Sequence, residues 1–117
     1  MHELSIVCSV VESVQEAIRE KKIERVEAVN LRVGALSGVL EDALLFSYEL
    51  ATQGTPLEGS ALRIERVPVR VYCAGCQEES ELVSVQSFRC PRCHELTADI
   101  RSGRELEIKS IQIEEVE

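Results

Sequence analysis

Two cysteine pairs, Cys73-Ala-Gly-Cys76 and Cys90-Pro-Arg-Cys93, stand 13 residues apart in this 117-residue chain. Two residues between thiolates let both sulfurs of a tight turn face one ion, and two such turns complete a tetrahedron at Zn–S distances of about 2.3 Å. The spacing therefore predicts a structural Zn2+ on Cys73, Cys76, Cys90 and Cys93. Gly75 is read as a left-handed turn residue and Pro91 as pre-setting the second turn. Four thiolates close the coordination sphere and leave no water to activate, so catalysis at this zinc is not expected. A redox pair would stand alone at a strand-to-helix junction instead of occurring twice around a short loop. The intervening QEESELVSVQSFR offers only Leu82, Val83, Val85 and Phe88 for burial, so the segment should need the metal to order. His94 follows the last cysteine and reads either as an accessory ligand or as a surface residue beside the sulfurs.

The only other histidine is His2, within the opening MHELSI. The Met1 amine, the deprotonated His2 amide and the His2 Nδ1 can close fused five- and six-membered chelate rings. Those three nitrogens share a plane, with a fourth position for another donor. Square-planar nitrogen coordination suits Ni(II) or Cu(II) and not Zn(II). On chemistry alone, an incidental histidine is the competing reading.

The elements that must position these groups are legible from periodicity. Leu4, Val7, Val11, Val14 and Ile18 recur at steps of three and four and predict an amphipathic helix over 3–22, with Cys8 bordering its apolar stripe as a small buried hydrophobe, the alternative being a soft metal ligand near the N-terminus. Val29, Leu31 and Val33 alternate as in a strand that Gly34 and Gly38 end. Leu40, Leu44, Tyr48 and Ala51 predict a second helix, stopped at Gly54 with Pro56 beyond. Leu62 and Ile64, then Val67, Val69 and Val71, read as one strand with a bulge, in which Pro68 favours an edge or a gap in the ladder. Leu106, Ile108, Ile111 and Ile113 form a last strand with a similar change of parity, which suggests that the two bulged strands pair.

The expected fold is α+β: two helices on a three-stranded mixed sheet with an inserted four-cysteine zinc-ribbon subdomain. The strand–helix–strand part should be a parallel crossover and the last strand antiparallel. Domain limits of 1–72 plus 104–117 for the α/β part and 73–103 for the zinc subdomain follow.

A net charge of −8 opposes nucleic acid as a partner. No run approaches a membrane span, and the first residues lack a basic n-region, so a cytoplasmic chain with reduced thiols is expected. Glu41-Asp42 and Glu78-Glu79 are adjacent carboxylates best read as solvated charge.

The opening MHELSI, the strand end VGALSGV, the following FSYE helix and CAGC…CPRCH together resemble the HypA/HybF family of nickel-incorporation proteins for nickel–iron hydrogenase. The resemblance spans essentially the whole chain. It implies a non-enzymatic nickel metallochaperone with Ni2+ on His2, assisted by the Met1 amine, backbone amides and Glu3, and structural Zn2+ on the four cysteines. It also implies the accessory GTPase HypB and the hydrogenase large subunit as partners, and leaves urease open as a second client. Monomer and homodimer both stay open. Where some members have an extra histidine after the first cysteine pair, this chain has Gln77-Glu78, and where some have an acidic residue it has Leu40, with Glu41 next. The competing class is a zinc-ribbon adaptor for a protein or nucleic acid. It would need a cationic stripe, yet residues 73–93 set only Arg89 and Arg92 against Glu78, Glu79 and Glu81.

Overall fold

The computed structural model describes residues 3–82 and 88–113. They form helix α1 (Glu3–Glu20), strand β1 (Val26–Gly34), helix α2 (Glu41–Thr52), and strands β2 (Ala61–Val67), β3 (Arg70–Cys73), β4 (Glu78–Glu81), β5 (Ile100–Ser102) and β6 (Leu106–Ile113). The fold is α+β. Contacts divide the chain into one unit of residues Met1–Leu31, Val39–Glu65 and Glu107–Glu117 and a second of Arg32–Gly38 and Arg66–Leu106.

The first unit is built by two helices and a sheet of order β2-β1-β6. Val7, Val11, Val14 and Ile18 of α1 are buried, as the three-and-four spacing requires, and α1 packs on α2. Leu4 and Cys8 are not part of that stripe: both are exposed. The covered face extends instead toward Ile6, Val10 and Ala17, which are half-buried. Positions 4 and 8 therefore sit on the opposite flank, and the expectation of a buried Cys8 is corrected.

In α2 the four-residue step of Leu44, Tyr48 and Thr52 marks the inner face. Thr52 Oγ1 donates to the Tyr48 carbonyl at 2.8 Å, which satisfies its buried hydroxyl. Gly54, at φ +76°, then turns the chain where residues with a Cβ are disfavoured. The N-cap is Leu40, which has no side-chain oxygen to offer. A carboxylate from the other helix serves there: the Leu40 N–H donates to Glu3 Oε2 at 3.2 Å.

Strand directions follow from paired contacts. Asn30 Nδ2 donates to Ser110 Oγ and the Gly34 N–H donates to the Glu105 carbonyl, so β1 and β6 are antiparallel. The Val26 N–H reaches Pro56 and the Ala35 N–H reaches Val67, so β1 and β2 run parallel. The sheet is mixed, as expected. β2 and β6 both flank β1, so the two strands expected to pair are not neighbours. Their side chains still meet across it, through Arg63 with Gln112 and Lys109 with Glu65.

A second, antiparallel sheet of order β4-β3-β5 organises the other unit. The single strand expected over 62–71 is instead two strands in two sheets, broken at Pro68-Val69. Proline supplies no N–H and restricts the residue before it, so a ladder can end there without an orphaned donor. Val69, Val71 and Leu82 form the small core of this unit, with Leu36, Phe88 and Ile100 packed against it. Val83 and Val85, also expected to contribute, lie outside the described residues. Gly34 and Gly103 approach so closely that a Cβ on Gly34 would stand 2.6 Å from the Arg104 nitrogen and closer still to the Gly103 carbonyl. Glycine is required there by contact, and at Gly103 also by a φ of +116°.

Candidate metal centre

Each half of the cysteine cluster is a turn closed by the same backbone bond. Cys73 ends β3, and the Gln77 N–H donates to the Cys73 carbonyl at 2.7 Å before β4 begins. Cys90 follows a one-residue bridge between Arg89 and Leu96, and the His94 N–H donates to the Cys90 carbonyl at 2.8 Å. The residue after each second cysteine takes the left-handed conformation, with φ of 54° at Gln77 and 65° at His94. Gly75, expected to fill that role, does not, because the reversal falls one residue after the pair and not inside it.

The turns bring all four Sγ atoms within 4.8 Å of one another. Cys73 and Cys93 sulfurs lie 3.5 Å apart, and those of Cys76 and Cys90 lie 3.8 Å apart. A tetrahedron with Zn–S bonds of about 2.3 Å has S–S edges of about 3.8 Å. A disulfide would need about 2.05 Å, and the cysteines are free. The donor set and its spacing thus fit one tetrahedral, thiolate-preferring ion. Cys73 and Cys90 are buried, Cys76 is half-buried and Cys93 is exposed, so the cluster is open to solvent on one side.

Backbone donors already favour charge on one sulfur. The Cys93 and then the Arg92 backbone N–H groups point at Cys90 and lower its thiol to about 7. Cys76 is pushed up to about 12, chiefly by its hydrogen bonds to Cys93 and then Cys90. Four thiolates this close cannot all ionise without a cation, which is the electrostatic requirement that Zn2+ meets.

Arg92, between Cys90 and Cys93, enters the sequence reading only as a charge weighed against Glu78, Glu79 and Glu81. Its guanidinium bridges Glu78 and Ser80 on β4, the latter at 2.8 Å, tying the second turn to the first hairpin. Thr97 Oγ1 donates to the Tyr72 carbonyl at 2.6 Å, and Arg101 lies over the Tyr72 ring at 4.7 Å while pairing both its Nε and Nη2 with Asp99. The sequence signal for Arg92 was its place inside a CxxC turn, which fixes where its side chain starts but not which hairpin it reaches. His94 is exposed, and its positive φ gives the position a backbone role.

The candidate nickel ligands are only partly in view. Met1 and His2 lie outside the described residues. Glu3 is described, and its carboxylate faces the start of α2 through Leu40.

An α+β fold with a four-cysteine metal cluster defines a small metal-binding protein. Residues 1–113 match the family described as hydrogenase/urease nickel incorporation, metallochaperone, hypA. A hydrogenase maturation factor HypA from Chloroflexus aurantiacus is 47% identical over 112 residues, covering 96% of this chain and 98% of the relative. One from Roseiflexus sp. is 46% identical over 115 residues, covering 98% and 94%. The chain belongs to the HypA family of nickel metallochaperones. The solution structure of the Ni metallochaperone HypA from Helicobacter pylori shares the fold with a TM-score of 0.66 at 22% identity, covering 97% of both chains. A second HypA solution structure gives 0.71 at 21% identity, over 97% of this chain and 96% of the other.

Proposed function

We propose that this chain captures Ni(II) at Met1, His2 and Glu3 and passes it to an acceptor during nickel–iron hydrogenase maturation, acting as a carrier and not as an enzyme. The observation that carries the reading is the family match from residue 1 to 113 in a chain that begins Met-His-Glu. The amine, amide and imidazole nitrogens of that tripeptide supply the planar donor set that Ni(II) favours. Deprotonating an amide makes the chelate sensitive to pH, and moving one terminal segment dismantles it, so capture and release are both available.

Zn2+ on Cys73, Cys76, Cys90 and Cys93 serves as the resident structural ion, with His94 as an accessory-ligand candidate. It would supply positive charge that holds four sulfurs together, and no reaction step runs through it. In this reading residues 1–72 and 104–117 form the nickel-handling part and 73–103 the zinc part. The accessory GTPase HypB and the hydrogenase large subunit are the protein partners, with urease as a further client, in the cytoplasm. Nucleic acid is not a partner, and the chain works as a monomer or homodimer.

The test is a Ni(II) titration of zinc-loaded protein, followed by absorbance of the planar nickel centre, beside His2→Ala and a variant extended before Met1. Near-stoichiometric binding lost in both variants, with zinc content unchanged, supports the chelate. Unchanged binding in both sinks it.

A further inference from the structure

Charge is divided unevenly along this chain. Residues 32–38 and 66–106 hold seven arginines and six carboxylates, one net positive charge. Against a total of −8, the remaining residues therefore carry −9. Within that acidic unit, α2 has Glu41, Asp42 and Glu49 and no basic residue.

On this acidic helix the most outward positions are apolar. At 100° per residue, Phe46 and Leu50 lie opposite the buried line Leu44–Tyr48–Thr52. Phe46 is 64% exposed and Leu50 49% exposed, with Leu45 beside them at 39%. Asp42 and Glu49, both exposed, border the pair on one side. The chain has only two phenylalanines, and one of them is spent here on solvent. An aromatic and a leucine one turn apart, flanked on one side by two carboxylates, have the make-up of an interface centre: apolar anchors that bury, and charges that steer and select.

The sign of the rim decides among occupants. A second copy laying its own α2 here would set Asp42 and Glu49 against carboxylates. Anionic lipid and nucleic acid meet the same repulsion. A groove of apolar side chains rimmed by lysine or arginine meets none of these penalties and covers both anchors.

We propose that the Phe46–Leu50 face of α2 is the docking surface for the nickel-handling partner protein, which receives it in an apolar groove with a basic rim. This rests on the reading above, in which the chain hands nickel to such a partner, and it names the surface by which that partner is engaged.

The experiment uses the full, zinc-loaded chain and purified HypB GTPase from the same organism as the probe, by calorimetry at two salt concentrations. Phe46→Ser/Leu50→Ser is compared with wild type and with Glu16→Ser, an exposed change on α1. Because both anchors are exposed, the fold survives, and helical circular dichroism and nickel titration serve as controls. At least tenfold weaker binding by the double variant is expected, with Asp42→Lys/Glu49→Lys also weaker and less dependent on salt. Wild-type binding that the double variant retains overturns the surface while leaving the partner intact. Wild-type protein that does not bind HypB overturns the partner reading and this assignment together. A wild-type dimer in sedimentation that the double variant converts to monomer overturns it in favour of a second copy.

Discussion

Removing zinc should unfold one unit and spare the other. The second unit buries Val69, Val71 and Leu82, with Leu36, Phe88 and Ile100 only partly covered. At roughly 1.5–3 kcal/mol for each fully buried aliphatic side chain, that core contributes about 5–9 kcal/mol. A structural zinc contributes roughly 10–16 kcal/mol of apparent binding free energy at neutral pH. A Zn2+ held by the four cysteines would thus contribute more than the apolar side chains do, and the apolar core alone should not hold β3, β4 and β5. In the first unit, by contrast, Val7, Val11, Val14, Ile18, Leu31, Leu44, Tyr48 and Leu57 are buried without any metal ligand among them. The assay is amide hydrogen exchange by NMR before and after chelation under reducing conditions. The Tyr72, Leu82, Cys90 and Thr97 amides, which donate to Asp99, Val69, Glu95 and Phe88, should lose protection. Amides of α1 and α2 should keep theirs to within a few-fold. Native protection at Tyr72 and Leu82 in zinc-free protein would refute the reasoning, because the apolar core would then suffice. Loss of protection throughout both helices would also refute it, since the units would then fold only as one.

Other outcomes follow from single features. Zinc affinity should rise with pH, because the cysteine thiols are largely protonated in the zinc-free segment and must lose their protons to bind the ion. A competition titration over about pH 6–8, below the ordinary thiol range, would contradict this with a flat profile. Gly34→Ala should cost about 3 kcal/mol or more in urea unfolding, since its Cβ meets the backbone of Gly103 and Arg104, which cannot rotate away. Gly38→Ala, with φ +73° but open space around its Cβ, should cost only about 1 kcal/mol. A Gly34→Ala loss no larger than that of Gly38→Ala would show that the backbone of Gly103 and Arg104 yields cheaply to the added Cβ. Glu3→Ala should destabilise the chain by about 0.5–2 kcal/mol through loss of the carboxylate at the Leu40 N–H, and Glu3→Gln, which keeps an acceptor, by less. Equal melting temperatures for all three proteins would show that the contact contributes nothing.

The cluster was legible because its chemistry is local. Two residues between cysteines fix a turn, and the four-cysteine set could be named from spacing alone. The helices were legible for a related reason: a four-residue step in Leu44, Tyr48 and Thr52 reports a face regardless of what covers it. The flank of a stripe is different. Leu4 and Cys8 extend the α1 pattern as well as Ile6 and Val10 do, and only the position of α2 and the sheet decides which side is covered. Apolar periodicity gives a direction, and its edges belong to the neighbours.

The sheet shows the same limit more sharply. Val67, Val69 and Val71 keep perfect alternation across Pro68, so the pattern alone reads straight through a point where one sheet stops and another begins. Alternation reports which side of a strand is apolar and is blind to which strand lies alongside. Pro68 was the real signal, since its missing N–H makes it a cheap place to leave a ladder. The left-handed positions were missed for a related reason. Glycine is the usual marker of positive φ, but a turn closed from Gln77 to Cys73, or from His94 to Cys90, imposes it one residue beyond the cysteine pair whatever stands there. In both turns the closing backbone bond outranks residue preference: Gln77 and His94 take the positive φ, and Gly75, inside the first pair, does without one.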